Sequence, residues 1–536
     1  MKVTYNWLKA YANFDFSPDE LVDKLTMLGL EVDSWNSTTW DFDGVVVGEI
    51  MKKEAHQHSN KLWVCEVNVG ARNLSIVCGA PNVKVGLKVP VAPEGTHLPT
   101  GKTIRRSTIR GVESQGMICS EAELGISSRS EGVMVLDTDV EFGKKLSEVL
   151  GEGEIVIDID VTPNRPDCFG VIGIAREIAA LAGTSLNKPN IIIKNEGNQS
   201  IKDLIKINIL NPEKCPRYTA RFIGNVTIKP SPWWLAQKLE AVGIRSINNV
   251  VDITNYVMME TGQPLHAFDY ELLNGHAIHV KTASEGQLFT TLDEKTHTLN
   301  SECLMICDGE KEVAIGGIMG GLNSEVSLET KNILLESAYF DPVNIRRTAK
   351  FLGISTESSR RFERGTDPNG VLYALDRAAQ LIAEMAEGEI AKGFIDVYPS
   401  QINSQAITLR TQRVQALLGI EISSKRINEI LTSLHFIIKP CNAHEMQVKV
   451  PTFRPDIKNE TDLIEEVARV YGYENVPADT LAFIEQLTPT NLLETFTHHV
   501  QNTLISLGFS QVATYSLLSQ PQTTLFADDK KTLKLI

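Results

Sequence analysis

Residues Val448–Pro477 read V-K-V-P-T-F-R-P-D-I-K-N-E-T-D-L-I-E-E-V-A-R-V-Y-G-Y-E-N-V-P. The pattern predicts a strand that breaks at Pro455 and a helix that follows. Asp462, Glu465 and Glu466 have the spacing i, i+3 and i+4, so we expect their carboxylates to lie side by side on one helix face. Asp456 lies before the helix, where a turn would fold it back onto the cluster. Carboxylates without a nearby Cys or His suit a hard cation such as Mg²⁺ rather than zinc. The alternative is a solvated acidic helix start, since acids in a first turn stabilise the helix dipole.

Length and composition indicate a multidomain protein. A chain of 536 residues is too long for one core, and its 42% hydrophobic and 22% charged content is ordinary for a soluble globular protein. No apolar run approaches the ~18 residues that a membrane span needs, and the N-terminus lacks a signal-peptide core. The eight cysteines are scattered without a C-x-x-C pair, which favours reduced thiols in a cytoplasmic protein and no zinc site.

The net charge of −15 argues against a nucleic-acid partner, but binding depends on where the basic residues lie. The segment 101–110 contains no acid, and its basic residues are Lys102, Arg105, Arg106 and Arg110. A second basic segment, 345–364, contains Arg346, Arg347, Lys350, Arg360, Arg361 and Arg364. Each segment is either a solvated face or a contact for RNA.

The fold class that the pattern predicts is multidomain α+β, with five regions along the chain. Ser17-Pro18-Asp19-Glu20 is a capping box that begins a helix in the first region, and Asp167 is placed to cap a helix in the third. Short β-type runs separated by turns predict a small barrel in the second region, with an OB-fold as the natural candidate. The regions are an N-terminal helical module (1–38), the barrel (39–150), a mixed α/β domain (151–395), a compact α+β domain (401–477) and the start of a further domain (478–536).

Three blocks in the mixed α/β region carry candidate chemistry. Polar residues are embedded in apolar runs from Gly243 to Asp269, and such groups must be hydrogen-bonded, so they build a site or a rigid network. His266 in this block is either a structural histidine or a site residue. The glycine loop Ala314–Gly321 lacks the G-K-[ST] ending of a P-loop, so it suits close backbone approach to a substrate better than ATP binding. Glu336 places one acid in an otherwise apolar strand, where an unpaired charge is costly.

Four stretches together resemble the β (large) subunit of bacterial phenylalanyl-tRNA synthetases. They are R-P-D-I…D-L-I-E-E-V-A-R-V-Y-G-Y (454–473), I-V-C-G-A-P-N-V (76–83) with R-G-V-E-S-Q-G-M-I-C-S (110–120), the 243–269 block, and A-I-G-G-I-M-G-G (314–321) with T-E-S-S-R-R-F-E-R-G (356–365). The resemblance implies that Asp456, Asp462, Glu465 and Glu466 bind Mg²⁺. It also implies that the barrel is an OB domain that binds tRNA.

The same resemblance implies an editing domain over residues 151–395, in which a pocket hydrolyses tyrosine wrongly attached to phenylalanine tRNA. Carried over residue by residue, His266 and Glu336 are the polar pair of the pocket and Gly320 is its floor. Thr356 and Ser358 form its wall, although some relatives have Ala at the position of Ser358.

The resemblance further implies a subunit of a class II phenylalanine–tRNA ligase that docks tRNA(Phe) and edits, while an α chain in an α2β2 tetramer carries the synthetic site. Consistent with this division, the sequence shows no convincing ATP-handling motif. The chain is expected to stop inside a catalytically silent synthetase-like domain, before the anticodon-binding domain of the family. The alternative is a free-standing tRNA-binding or trans-editing factor.

Overall fold

The computed structural model describes residues 1–126, 132–136, 140–151, 153–194, 196–442, 444–477 and 491–525, and Thr39 by its backbone alone. The chain separates into two compact units, Met1–Val476 and Pro477–Ile536. In the ranges just given, no helix is both long and apolar enough to cross a bilayer.

The larger unit contains both helices and strands throughout. Its strands are β1 (Lys2–Thr4), β2 (Glu31–Thr39), β3 (Val46–Ala55), β4 (Trp63–Asn68), β5 (Asn73–Cys78), β6 (Lys88–Pro93), β7 (Ser107–Ile109), β8 (Val112–Ser114), β9 (Gly116–Ile118), β10 (Gly153–Asp160), β11 (Glu196–Ser200), β12 (Lys206–Ile209), β13 (Arg217–Gly224), β14 (Leu265–Asp269), β15 (Ala277–Thr282), β16 (Leu288–Thr290), β17 (Thr296–Thr298), β18 (Leu304–Cys307), β19 (Glu312–Ile315), β20 (Met319–Gly320), β21 (Ile333–Tyr339), β22 (Glu389–Lys392), β23 (Ile395–Val397), β24 (Ala406–Arg410), β25 (Ile437–Pro440) and β26 (Glu445–Lys449). Its helices are α1 (Tyr5–Tyr11), α2 (Pro18–Met27), α3 (Leu146–Leu150), α4 (Val171–Ala182), α5 (Ile201–Leu204), α6 (Trp233–Ala241), α7 (Asn249–Thr261), α8 (Pro342–Leu352), α9 (Glu357–Phe362), α10 (Val371–Met385), α11 (Thr411–Leu418), α12 (Ser424–Ser433) and α13 (Glu460–Tyr471).

The N-terminal segment shares a sheet with a strand from the region after the barrel. Strand β10 lies between β1 and β2 and pairs antiparallel with both, so Gly153 lies opposite Thr39. The boundary predicted at residue 150 assigns β10 to the following domain, whereas in the structure β10 belongs to the sheet of the N-terminal segment. The barrel is an insertion whose two ends meet in this sheet. The predicted capping box is confirmed, since Ser17 and Glu20 hydrogen-bond each other's backbone at the start of α2.

The inserted region is a five-stranded antiparallel sheet in the order β5-β4-β3-β6-β9. Its two edges approach each other, because the Gln115 N–H donates to the Ser75 carbonyl at 2.8 Å and the Val77 N–H donates to Ser114 Oγ at 3.1 Å. These bonds curl the sheet into a nearly closed barrel. The hairpin β7–β8 projects from it between β6 and β9.

Two sheets and a layer of helices form the central region. One sheet has the order β11-β22-β13-β21-β14, with β23 also paired to β13, and the other has the order β12-β15-β18-β19-β20. One apolar core lies between the two sheets, and a second lies between α4, α6, α7, α10 and the first sheet. Strands β14 and β21 therefore hold side chains between two layers.

Residues 406–476 form a three-stranded sheet, β24-β26-β25, covered by α11, α12 and α13. In the smaller unit the described helices are α14 (Leu492–Ser506) and α15 (Gln520–Thr523). Residues 478–490 and 526–536 lie outside the described residues, and with them part of the predicted fifth region.

A chain of buried ion pairs fastens the last sheet-and-helix layer to the central region. Arg165 binds Asp167 through two hydrogen bonds of 3.0 Å and Glu177 of α4 at 2.6 Å. Arg469 of α13 binds the same Glu177 and also Glu466 at 2.8 Å. Asp167 thus pairs with Arg165 rather than capping α4, whose N-cap is Gly170.

The chain of ion pairs continues through Arg454, which binds Glu466 and, at 2.7 and 2.9 Å, Asp456. Arg165, Glu177, Arg454, Glu466 and Arg469 are each at most 7% exposed. Burial alone would raise the pKa of Glu466, but Arg469 and Arg454 hold it well below its usual range. The carboxylate therefore stays charged inside the protein.

Replacing Glu466 with alanine is expected to destabilise the chain by about 3–5 kcal/mol, because two buried guanidinium groups lose their shared partner. The adjacent Glu465 is exposed, so its replacement with alanine is the matched control and is expected to change stability by less than about 0.5 kcal/mol. Urea unfolding of the two variants beside the wild type measures the difference. Equal effects of the two substitutions would contradict the structural role of Glu466.

Candidate active site

His266 and Glu336, the titratable pair predicted for the pocket, are neighbours across an antiparallel strand pair. His266 of β14 lies directly opposite Glu336 of β21. Directly opposite residues of an antiparallel pair project to the same face of the sheet, so the imidazole and the carboxylate lie side by side. Strand β21 is buried along nearly its whole length, which places Glu336 in an apolar setting.

A cavity of about 270 Å³ opens over this strand pair. All five residues predicted for the pocket line it, namely His266, Glu336, Gly320, Thr356 and Ser358. Much of the remaining wall is apolar, contributed by Met258, Leu265, Leu292, Ile306, Ile315, Ile318, Met319 and Phe362. The cavity thus offers a few polar groups within an apolar enclosure, which is the usual composition of a small-molecule site.

The carboxylate of Glu336 is almost completely buried and has one hydrogen-bond donor among the residues that the structure describes. The Tyr218 hydroxyl donates to Oε2 at 2.6 Å, and Tyr218 is itself fully buried. Burial raises the pKa of Glu336 to about 7, although the bond from Tyr218 works in the opposite direction. Glu336 is therefore poised to gain or lose a proton near neutral pH, a property common at functional sites.

The imidazole of His266 is neutral at pH 7. Burial lowers the pKa of His266 to about 4, and its ring packs edge-on against Phe268 with centroids 4.4 Å apart. Its Nε2 is buried and has no hydrogen-bond partner among the described residues. A buried polar atom without a hydrogen-bond partner costs free energy. A molecule in the cavity that hydrogen-bonds to this nitrogen would remove that cost.

Gly320 permits the imidazole to take this position. A Cβ atom at residue 320 would lie 2.6 Å from His266 Cε1 and 3.0 Å from its Nε2. Such contacts are too close for any side chain. A side chain at residue 320 would therefore displace the histidine ring, and Gly320 leaves that side of the cavity open.

Thr356 and Ser358 hold the glycine loop in place, which the sequence did not indicate. The Thr356 hydroxyl donates to the Ile318 carbonyl at 2.9 Å and caps α9 by accepting from the Ser359 N–H. The Ser358 hydroxyl donates to the Gly317 carbonyl at 3.1 Å. Both hydroxyl protons are used within the protein, so these residues position the wall rather than donate to a ligand.

Two further polar residues line the cavity. They are Asn255 of α7 and Glu357 of α9, the latter bonded to Arg361 at 2.7 Å. Asn255 belongs to the polar 243–269 block, which the sequence predicts to build a site or a rigid network. Glu357 lies in the 356–365 stretch that carries the resemblance, but nothing in the sequence distinguished it from its neighbours there.

The acidic segment differs from its prediction. Glu466 turns inward to Arg454 and Arg469, whereas Glu465 is exposed, so the expectation that these carboxylates emerge together is wrong. Asp462 accepts the backbone N–H groups of Lys458 and Asn459 at 2.7 and 2.9 Å, which makes it a helix cap. Asp456 is held by Arg454.

Within the described part of the chain, Asp456 and Glu466 are thus engaged by arginines and Asp462 by backbone N–H groups, whereas Glu465 is exposed and makes none of these contacts. In the part of the chain that the structure describes, no group of three or more His, Cys, Asp or Glu residues is arranged to hold a metal. Magnesium stays a prediction from the resemblance.

The basic residues predicted to bind tRNA are all exposed, around the β7–β8 hairpin of the barrel. Arg110 occupies the hairpin turn with a φ of 48°. Arg106 is paired with Glu94 at 3.3 Å and Glu113 at 3.2 Å, which reduces its free charge. In the second basic segment, Arg361 is 1% exposed and is therefore not part of a surface.

Family models match three regions of the chain. They are a putative tRNA binding domain over residues 45–145, a B3/4 domain over residues 214–387 and a tRNA synthetase B5 domain over residues 407–473. The B3/4 match contains His266, Gly320 and Glu336, and the B5 match contains the acidic helix.

Curated relatives match nearly the whole chain. The phenylalanine–tRNA ligase beta subunit of Syntrophus aciditrophicus is 48% identical over 532 residues, which cover 99% of this chain and 66% of that protein. The corresponding subunit of Geobacter metallireducens is also 48% identical, with 97% and 65% covered. The chain thus spans about two thirds of the length of these relatives.

Among solved structures, an N-terminal fragment of the phenylalanyl-tRNA synthetase beta-subunit from Pyrococcus horikoshii is 13% identical, with a TM-score of 0.39 over 88% of this chain and 99% of that one. The identity to the bacterial relatives extends over almost every described element, and the three domain matches occur in regions that the fold separates. The chain belongs to the family of phenylalanine–tRNA ligase beta subunits.

Proposed function

We propose that this chain is the tRNA-docking and editing subunit of a phenylalanine–tRNA ligase, and that its cavity hydrolyses tyrosine wrongly attached to tRNA(Phe). The observation that carries the editing role is the pairing of Glu336, with a pKa of about 7, with the unpartnered imidazole of His266 in one cavity.

The need for a second site follows from binding energetics. Tyrosine differs from phenylalanine by one hydroxyl, and an apolar synthetic pocket rejects an added hydroxyl imperfectly. A separate pocket with a buried acceptor can instead select that hydroxyl, because a phenylalanine ring would leave the acceptor unpaired. Glu336 has the burial that such a selector requires.

Glu336 is held in place for this role by Tyr218. Because the Tyr218 hydroxyl donates to Oε2, the carboxyl group is fixed at one oxygen and Oε1 is left for a ligand. A tyrosine hydroxyl donating to Oε1 would also stabilise the ionised carboxylate. Selectivity for tyrosine then rests on a single hydrogen bond in an apolar setting.

His266 acts on water in the proposed reaction. Its neutral imidazole accepts a hydrogen bond at Nε2 from a water that adds to the ester carbonyl, and the bond to the ribose oxygen then breaks. Tyrosine leaves as the free acid and the tRNA regains its hydroxyl. The glycine loop lets the ester approach closely, since no side chain at residue 320 obstructs His266.

The remaining roles are proposed from the resemblance to the family. The barrel, assigned as an OB-fold, would dock tRNA through Lys102, Arg105 and Arg110, and an α subunit would join Phe, ATP and tRNA within an α2β2 tetramer. Relatives named as ligase subunits favour this proposal over a free-standing trans-editing factor. Mg²⁺ stays a prediction, and no step here depends on it. The eight free cysteines suit the reducing cytoplasm.

The full-length protein, co-purified with its α partner, is expected to release tyrosine from Tyr-tRNA(Phe) much faster than phenylalanine from Phe-tRNA(Phe). His266→Ala is expected to lower tyrosine release by at least about 100-fold, the scale of a lost acid–base group. Glu336→Ala is expected to lower it by at least about tenfold, the scale of a lost hydrogen bond to a charged group. His297→Ala is the matched control, because His297 also has a buried, unpartnered Nε2 but does not line the cavity. Unchanged tyrosine release in both cavity variants would refute the editing assignment.

Gly320→Ala is expected to lower tyrosine release by at least about tenfold, because misplacing a reacting group by about 1 Å is enough to slow a reaction strongly. Gly316→Ala in the same loop is the control, since a Cβ there would meet no atom closer than 3.4 Å. The same hydrolysis assay measures both. Equal losses in the two variants would show a general disturbance of the loop instead.

The pKa of Glu336 predicts a pH-dependent stability. Between the ordinary value of 4.5 and about 7 the folded chain keeps a proton that the unfolded chain loses, so stability falls as pH rises through this window. Glu336→Gln removes this loss and is expected to gain stability relative to the wild type between pH 5 and pH 8. The gain amounts to at most roughly 3 kcal/mol, at about 1.4 kcal/mol per pKa unit. Thermal unfolding midpoints at the two pH values measure it, and a constant difference would contradict the raised pKa.

A further inference from the structure

A second cavity, of about 180 Å³, lies beside the buried ion pairs and away from His266. It is formed by α4, by the turn after α7, by the loop before α10 and by one residue of the following region, Phe453. Asp167 and Gln263, which belong to motifs of the sequence, line it, but none of the functional roles proposed above uses it. Its polar lining includes Arg176, Thr366, Gln263 and Lys188.

Four buried polar atoms of residues that line this cavity have no hydrogen-bond partner among the described residues. They are Nε and Nη1 of Arg176, Oγ1 of Thr366 and Oε1 of Gln263. The three residues are 5%, 8% and 3% exposed. Each such atom costs about 1–3 kcal/mol when unpaired, so several around one cavity indicate a missing ligand.

The orientation of the Gln263 amide is fixed by its own contacts. Its Nε2 donates to the Ala338 carbonyl at 2.7 Å and to the Pro264 carbonyl at 3.2 Å. Two carbonyl acceptors identify this end as the NH₂ group, so the oxygen is the atom without a partner. The cavity therefore offers an acceptor as well as donors.

Two basic residues, Arg176 and Lys188, and two acids, Asp167 and Asp367, line the cavity. The nearest acid to Arg176 is Asp167, at 3.6 Å, and Asp167 already accepts two hydrogen bonds from Arg165. Asp367 also lines the cavity, but its Oδ1 accepts from the Thr452 hydroxyl and the Asn369 N–H. The Arg176 guanidinium stacks on Phe453 with its centre 3.8 Å from the ring centroid, which leaves its edge for an anion.

We propose that this cavity binds a small hydrogen phosphate ion. Arg176 Nε and Nη1 and the Thr366 hydroxyl donate to its oxygens, and Lys188, exposed at the cavity edge, adds positive charge. Gln263 Oε1 accepts from the P–OH group, which distinguishes hydrogen phosphate from sulfate, since sulfate has no proton to donate at neutral pH. Because residues 166–176 and Phe453 share the site, the ion stabilises the contact between α4 and the following region.

The experiment measures binding of inorganic phosphate to the whole chain by calorimetry and by the thermal midpoint, with chloride balancing the ionic strength. Phosphate is expected to raise the midpoint, and sulfate to raise it less, because ligands that bind the folded state stabilise it. Stabilisation no greater than that by chloride would overturn the proposal. Equal binding of sulfate would also overturn it, since Gln263 would then have no role.

Two variants test the contacts. Arg176→Met is expected to abolish phosphate binding, and Thr366→Val to weaken it by about tenfold, the usual effect of a hydrogen bond to a charged group. Thr366→Val removes a hydroxyl that bonds to no described residue, so folding is preserved. Thr348→Val is the matched control, because its hydroxyl is equally buried and unpartnered but lies outside the cavity. Unchanged affinity in Thr366→Val, or an equal loss in Thr348→Val, would refute the assigned contacts.

Discussion

Buried ion pairs between residues 165–177 and residues 454–469 hold the larger unit together. Arg165, Arg454 and Arg469 alternate with Glu177 and Glu466, so each buried charge has at least one opposite charge in contact. A buried pair is not by itself a strong source of stability, but removing one partner leaves an uncompensated charge. The arrangement therefore specifies one docking geometry for α13 on α4 rather than a large net gain.

The same segment connects the ion pairs to the candidate active site. Arg361 is buried, donates to the Phe169 carbonyl at 3.0 Å and to Glu357 at 2.7 Å, and so ties α9 to the turn that begins α4. Helix α9 begins at Glu357, and Thr356 and Ser358 fix the glycine loop against His266. The docking of two regions and the shape of the cavity thus depend on one continuous set of contacts.

The resemblance to the family placed the five pocket residues together, whereas the residues by themselves indicated only a site or a hydrogen-bonded network. Glu336 in an apolar strand and glycines in an apolar loop both indicate a site before any contact is known. The pairing partners were not predictable, since Arg454 and Glu177 reach Glu466 from distant parts of the chain. The spacing places Glu465 and Glu466 close together on the helix. Tertiary contacts decide which of the two carboxylates is buried, and in the structure it is that of Glu466. The strand partners of β10 were equally unpredictable, because they lie more than a hundred residues earlier in the chain.

Glu336 and Glu466 show how the surroundings of a buried glutamate decide its role. Two arginines keep Glu466 ionised and hold its pKa well below the usual range, so it has no reason to exchange a proton near neutral pH. Glu336 has a single phenol as donor, and burial raises its pKa to about 7. A folded chain tolerates such uncompensated burial at a cost in stability. In the proposed editing role that cost has a reason, because a full set of partners would leave the carboxyl unable to bind an incoming hydroxyl.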